Sequence, residues 1–393
     1  MASRIYADHA ATTPVREEVL AAMLPYFGAG GFNASSLHAE GRAARQALDE
    51  ARSLVARLLG ARPREIVFTG SGSEADNLAI LGAARALRAK GRHVVTALTE
   101  HHAVLLAAAA LRSEGFEVTE LPVDPAGRVS DEDFAWALRP DTVLASLMLA
   151  NNELGTLHPI ERLARIARSR GVLFHTDAVQ APGRVALDVD VLGVDLLVLT
   201  AHKFYGPKGV GALYVRSGTA LEPLVLGGGQ EAGLRAGTEN VAGIVGFARA
   251  LELAVAELPR EAPRLAMLRD RFEAVLGEQI AGIHINGAGA ERLPNVSSIA
   301  FEGVDATTLL VRLDLDGVAV SAGSACAAGS TEPSHVIAAI GGPAWARTGT
   351  IRFSFGKLTS EQDVERLAKM LPEAVAAQRV GDTNLGTSVT AAR

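Results

Sequence analysis

From Glu65 to Arg216 the chain alternates short, almost wholly apolar runs rich in β-branched residues with longer segments of helical period. "EIVFTG" is followed by "SEADNLAILGAARALRAKG", "HVVTALT" by "AVLLAAAALRSEG", and then comes "EVTELPVD". The rhythm continues through "TVLASLMLA", through "PIERLARIARSRG" with Ile160, Leu163 and Ile166 on one helical face, and through "VLFHTDAV", "DLLVLTAH" and "GVGALYV". Strands with so little alternation need cover on both faces, so this half predicts an α/β unit with a mostly parallel sheet between helices.

Beyond a helix expected from about Thr238 to Glu257 the strands become fewer. "NVSSIAFEG", "VAVSAG" and "TIRFSFG" are separated by helical stretches such as "DATTLLVRLDLDG", which predicts a smaller α+β unit. The expected division is 14–257 for the large unit, and 1–13 with 258–378 for the small one. A last helix is expected to start near Thr359 or Ser360, with Ser360 and Asp363 as a capping pair and Val364, Leu367 and Leu371 as its apolar stripe. Pro372 is expected to bend or end it. The tail 379–393 is polar and aperiodic, and is expected to be mobile.

Composition narrows the function. With 48% hydrophobic residues among 393 the chain can bury a large core, and its formal charge of −6, from 38 basic and 44 acidic residues mixed along the sequence, leaves no basic footprint for nucleic acid. The start lacks a charged leader followed by an apolar segment, and no run approaches the ~18 apolar residues of a membrane span, so a cytoplasmic protein without membrane contact is expected. A single cysteine, Cys326, permits no internal disulfide and no multi-thiolate metal site, and no metal is expected.

In an open α/β sheet ligands gather at the carboxyl ends of the strands. Five strand ends here deliver Ser73, His101, Asn152, Asp177, Gln180, His202 and Lys203 to one rim. "GSGSEA", Gly70 to Ala75, also fits the dinucleotide pattern, with Glu100 at the end of the next strand. Its amides and helix start would hold any phosphate, so the motif reports an anion site and leaves the cofactor open. Lys203 narrows the choice. A lysine directly after an apolar strand, beside His202, Tyr205 and Gly206, is expected to be partly desolvated, which favours a neutral amine able to form a Schiff base. Pyridoxal phosphate needs that amine, an anion site, and a carboxylate at its ring nitrogen, which Asp177 can supply. His158, His284 and His335 show no paired ligand spacing and are read as ordinary turn or helix residues.

Taken together, "YADHAATTPV", "NASSLHAEGR", "EIVFTGSGSEADNLAI", "TEHHAV", "NNELGT", "HTDAVQ", "AHKFYGPKGVGALYV", "RAGTEN", "SAGSACAAGSTEPS" and "TIRFSFGKLTSEQDV" make the chain resemble the cysteine desulfurases. These are fold-type I pyridoxal-phosphate enzymes related to class V aminotransferases, with a mostly parallel seven-stranded sheet and a smaller α+β domain. The resemblance implies that Lys203 holds the cofactor, Asp177 pairs with the pyridine nitrogen, Gln180 meets the ring oxygen, His101 lies over the ring, and Asn152 stands near cofactor and substrate. It implies further that Gly72, Ser73, Thr200 and His202 bind the phosphate, with Thr238 reaching it from the partner subunit of a homodimer, and that Arg352 grips the substrate carboxylate. Cys326, in a small-residue loop at about 321–334, becomes the sulfur acceptor, and His101 a proton shuttle. The implied partners are L-cysteine and a sulfur-acceptor protein serving iron–sulfur cluster assembly or transfer-RNA thiolation. Three departures stand out: Ala34 follows Asn33 where the family favours Pro, Ser73 stands for Thr, and Ala201 for Gly. Selenocysteine lyase and class V aminotransferase activities use the same cofactor site, although an aminotransferase has no need of Cys326. A nicotinamide enzyme would rest on "GSGSEA" alone, and a non-catalytic sulfur carrier would leave Lys203 and Asp177 unexplained.

Overall fold

The computed structural model describes residues 4–28, 30–323 and 333–387, so Cys326 and most of its expected loop lie outside the described residues. The chain opens with β1 (Ile5–Tyr6), α1 (Glu17–Met23) and the long α2 (Ala39–Leu59). An alternating series follows: β2 (Ile66–Thr69), α3 (Gly72–Ala86), β3 (His93–Ala97), α4 (His102–Ser113), β4 (Glu117–Leu121), α5 (Asp131–Ala137), β5 (Thr142–Ser146), α6 (Ile160–Ser169), β6 (Leu173–Asp177), α7 (Val189–Leu192), β7 (Leu196–Thr200) and β8 (Gly211–Val215). Then come α8 (Val241–Gln279), β9 (Ile283–Ile285), β10 (Val296–Phe301), α9 (Ala306–Leu315), β11 (Val318–Ala319), α10 (His335–Ala339), α11 (Ala346–Gly349), β12 (Thr350–Ser354) and α12 (Glu361–Thr387).

Seven strands form one sheet in the order β2-β8-β7-β6-β5-β3-β4. β8 pairs antiparallel with both β2 and β7, and the pairs among β7, β6, β5, β3 and β4 are all parallel. The expected mostly parallel sheet is therefore present. The apolar residues of β5, β6 and β7 divide between two clusters, one on each face of the sheet: Ala145, Phe174 and Leu197 belong to one, Leu144, Leu196 and Val198 to the other. On α6 the expected stripe is buried at Ile160 and Leu163, and Ile166 packs at the edge of the same core.

The remaining strands form an antiparallel sheet, β12-β10-β9, and a short parallel pair, β1-β11. α8 joins the regions. Its Ile244, Phe247 and Leu251 enter the core of the large sheet, while Leu265, Leu268, Phe272 and Leu276 enter that of the small one. The expectation that this helix ends near Glu257 is corrected: it runs unbroken past Pro259 and Pro263 to Gln279. Both prolines are on the exposed face, where a carbonyl that loses its partner is hydrated at little cost, and the two cores hold the helix at either end.

A second correction concerns an end of the last helix at Pro372. α12 continues through it to Thr387, past the start of the expected tail, because Ala374 and Val375 beyond the proline pack into the same core as Val364, Leu367 and Leu371 before it. The capping pair is present as expected: the Asp363 amide donates to Ser360 Oγ at 3.1 Å, and the Ser360 amide to Asp363 Oδ2 at 3.0 Å. Among the described residues no helix is long and apolar enough to cross a membrane.

Candidate active site

The carboxyl ends of β2, β3, β5, β6 and β7 meet in one cleft. It is lined by Ser71, Gly72 and Ser73 after β2, His101 after β3, Met148 and Asn152 after β5, Asp177 and Gln180 at β6, and Thr200, His202 and Lys203 at β7, with Arg352 from β12 closing one wall. Its empty volume, counting the part open to solvent, is about 790 Å³, within the ~300–1,000 Å³ usual for small-molecule sites.

Lys203 ends a short 3₁₀ turn, Ala201–Lys203, directly after β7. Its Nζ donates to the carbonyls of Ala10 (2.7 Å) and Ala11 (2.8 Å), which belong to the segment after β1. Two residues on, Tyr205 has φ +67°, a left-handed conformation unusual for a large side chain, held by its amide to Thr13 Oγ1 at 2.6 Å. The turn is thus clamped from both sides. Gln180 Nε2 donates to the same Ala10 carbonyl at 2.9 Å, while its buried Oε1 has no partner among the described residues.

Asp177, the last residue of β6, accepts the Val179 amide at 2.9 Å on Oδ1. Burial, and then the neighbouring Asp76 carboxyl, push its pKa up to about 7, against the pull of the Val179 amide, His175 and Lys203. A cation placed on this carboxylate would restore the ionised form. His101 caps α4, its Nδ1 accepting from the Ala103 amide at 3.1 Å; burial, with the Lys203 charge next, lowers its pKa to about 4 and keeps the imidazole neutral. His202 is likewise lowered to about 4 by burial, and its Nδ1 lies 3.1 Å from Thr12 Oγ1.

The anion site is the start of α3. Ser71 caps it by accepting the Glu74 amide at 3.1 Å, which leaves the first-turn amides of Gly72 and Ser73 at the cleft without intrahelical acceptors. A Cβ on Gly72 would meet Thr200 Cβ at 3.3 Å and Val179 Cγ2 at 3.2 Å, so only glycine lets the helix start sit this close to the strand ends. Amine, carboxylate, unpartnered amide oxygen and helix start form the donor set that pyridoxal phosphate requires, and the residues fit it. The nicotinamide reading loses its support: Glu100 is fully buried, and its Oε1 takes the Met148 amide at 2.7 Å instead of facing the cleft.

Arg352 is 1% exposed. Nη2 pairs with Asp8 at 2.8 Å, Nη1 donates to the Asn152 carbonyl at 3.0 Å, and the buried Nε has no partner among the described residues. Thr238 is exposed on the loop before α8 and does not line the cleft of its own chain. Both described flanks of the cysteine segment bond to Arg352 of the cleft or to residues next to those that line it. Ser321 exchanges backbone hydrogen bonds with Arg352, and beyond the segment Ser334 Oγ donates to Glu153 Oε2 at 2.6 Å while His335 Nε2 lies 2.9 Å from the Glu100 carbonyl.

Sequence reasoning missed Asp8, the Ala10 carbonyl, Asp76 and Arg184. Asp76 was within reach, since it stands four residues after Gly72 and therefore on the same face of α3. The Ala10 carbonyl carries no side-chain signal.

The family model for class-V aminotransferases matches residues 5–367. A cysteine desulfurase IscS of Dictyoglomus turgidum is 48% identical over 375 residues, 95% of each chain. A cysteine desulfurase NifS of Azotobacter vinelandii is 44% identical over 376 residues, 95% of this chain and 93% of that one. Among solved structures, a NifS-like protein superposes with a TM-score of 0.89 at 38% identity, covering 95% of this chain and 99% of that one. With the sheet, the lysine-bearing rim and these relatives in agreement, the chain belongs to the class-V aminotransferase family, among its pyridoxal-phosphate-dependent cysteine desulfurases.

Proposed function

We propose that the protein removes sulfur from L-cysteine, releasing L-alanine and leaving the sulfur as a persulfide on Cys326 for an acceptor protein. The observation that carries this reading is the convergence of Lys203, Asp177, Gln180 and His101 on one cleft beside a helix start. When bound, pyridoxal phosphate supplies an electron sink for the pair left at the substrate α-carbon.

The chain's own residues do the rest. The amides of Gly72 and Ser73, with Thr200 and His202, hold the phosphate, and Thr238 joins them from the partner subunit of a homodimer. Asp177 would pair with the ring nitrogen and keep it protonated, and Gln180 would bond to the ring oxygen. Arg352 binds the substrate carboxylate, for which a planar fork suits two oxygens. The Lys203 amine would take the α-proton and later return one, and His101, neutral because it is buried, would hold and relay a proton beside the substrate. The Cys326 thiolate attacks the substrate sulfur: a sulfur–sulfur bond forms, the bond from Cβ to sulfur breaks, and protons return to the carbon skeleton as alanine. The bonds of Ser321 to Arg352, of Ser334 to Glu153 beside Asn152, and of His335 to Glu100 beside His101 support this role for the segment between them. The division near residue 257, a cytoplasmic location, and delivery of the sulfur to iron–sulfur assembly or transfer-RNA thiolation belong to the same proposal. The separate cores of the two sheets support the division.

The test is the absorption spectrum of the purified protein before and after L-cysteine, with alanine and sulfide quantified under a thiol reductant. A cofactor band that shifts, with alanine and sulfide in equal amounts, is the expected result. A band without alanine formation would redirect the activity to transamination, and no band after adding pyridoxal phosphate would overturn the reading.

A further inference from the structure

Seven residues after β6, the chain leads one guanidinium back to the main chain of two cleft residues. The Arg184 amide donates to the Ala181 carbonyl at 3.0 Å, with Pro182 second and Gly183 third at φ +73°, the pattern of a type II turn. A Cβ on Gly183 would stand 3.2 Å from Ala254 Cβ, so the turn lies tight against α8. Arg184 itself is only 7% exposed. No carboxylate hydrogen-bonds to it among the described residues. Its partners are two carbonyls: Nη1 donates to Gln180 O at 2.8 Å and Nη2 to Lys203 O at 3.1 Å.

These are the main chains of the two residues whose side chains share the Ala10 carbonyl, Gln180 through Nε2 and Lys203 through Nζ. Each residue is therefore held twice, once by its backbone through Arg184 and once by its side chain through Ala10. Burial pushes the Arg184 pKa down to about 10, so the guanidinium is still charged at neutral pH. A buried charge with no carboxylate bonded to it among the described residues is costly, and a simple tie between two carbonyls needs only a neutral amide. A rigid planar fork has one advantage: it sets the spacing of two acceptors at once.

We infer that Arg184 is a positioning residue, whose single fork locks the main chains of Gln180 and Lys203 at a set separation so that amide and amine meet bound pyridoxal phosphate in register. This rests on the reading of the cleft as a pyridoxal-phosphate site. It extends that site to a residue that touches neither cofactor nor substrate.

Two variants test it. Arg184→Met removes the charge and both hydrogen bonds at similar length; Arg184→Lys keeps the charge but has no fork. The readouts are the visible circular dichroism of bound pyridoxal phosphate, which reports ring placement, and the rate of cofactor release from the holoenzyme into a trap. Outer partners of metal ligands are commonly worth about 10- to 100-fold in affinity, and the same scale is taken for a residue that positions two cofactor-binding groups. Arg184→Met is expected to release cofactor about that much faster with an altered dichroic band, and Arg184→Lys to fall between it and the wild type. Leu367→Ala, in the core of the small sheet, serves as the control for lost stability. Wild-type dichroism and release in both variants would overturn the inference, as would the same changes in Leu367→Ala. If Arg184→Met does not fold, Arg184→Lys decides alone. Wild-type protein that takes up no pyridoxal phosphate would overturn the reading of the cleft and this inference with it; uptake with unchanged variants would overturn only the inference.

Discussion

The two walls of the cleft are built in different ways. On the large-sheet side, every functional group stands within a few residues of a strand end: Asp177 ends β6, Lys203 follows β7 by three residues, and Gly72 follows β2 by three. On the small-sheet side, Arg352 lies in the middle of β12 and reaches the cleft only because its partners, Asp8 and the Asn152 carbonyl, come from segments about 344 and 200 residues away in sequence. One wall is local and repetitive, set by the rule that parallel strands present their carboxyl ends together. The other depends on three distant segments agreeing, and a single substitution there strands a charge.

Breaking the first wall should have the largest effect. Lys203→Ala is expected to lower alanine formation by at least ~10³-fold, because the amine that handles the α-proton is lost; quantifying alanine checks this, and near-normal turnover would remove Lys203 from the mechanism. Cys326→Ala should stop sulfide and persulfide production while leaving the cofactor's visible band intact, and sulfide release at the wild-type rate would discard the assigned acceptor.

Breaking the second wall should cost both binding and stability. Arg352→Met is expected to raise KM for L-cysteine by ~10²-fold or more and to leave Asp8 without its partner. Losing one member of a buried pair costs roughly 3–5 kcal/mol, and Asp8 is partly exposed, so about 2 kcal/mol is the discounted expectation in chemical denaturation. An unchanged KM would show that the guanidinium serves only Asp8.

A third measurement sharpens what lies under the first wall. Burial raises the Asp76 carboxyl to about 8, well above its ordinary 3.8. A raised folded pKa means that the folded state keeps the proton while the unfolded state releases it, so stability is full below pH ~4 and falls as pH rises through about 8. Asp76→Asn in the cofactor-free protein should therefore gain stability relative to wild type across that window, by an amount on the order of a few kcal/mol at its upper end. A pH-independent difference would mean that Asp76 is ionised in the folded protein throughout.

The smallest effect lies far from the cleft. Ser360→Ala removes the cap of α12 and should cost about 1 kcal/mol with no change in cofactor spectrum or KM. A spectral change there would join the small sheet's packing to the cofactor site.

How much of this was legible varies along the chain. Apolar strands in the alternating half announced a doubly covered sheet, and Asp177, Gln180, His202 and Lys203 could be named because strand ends are local features. The capping pair Ser360 and Asp363 was equally local. The end expected near Glu257 and the break expected at Pro372 misled for the opposite reason. A proline ends a helix when little else holds it, and here Phe272 with Leu276 and Ala374 with Val375 pack the segments beyond them into a core that no window around the proline contains.

Sequence alone specified the class of sheet, the strand-end residues that line the cleft and, through ordered motifs, the family. The three-dimensional packing alone decided that Ala10 receives both Gln180 and Lys203, that Asp8 engages Arg352, and that Arg184 is buried with its fork on two main-chain carbonyls. Periodicity and strand ends are properties of neighbouring residues, so they can be read along the chain. Hydrogen bonds to a main-chain carbonyl, and charges paired across hundreds of residues, arise only once the strands bring their ends together, because a carbonyl is common to every residue and carries no mark in the sequence.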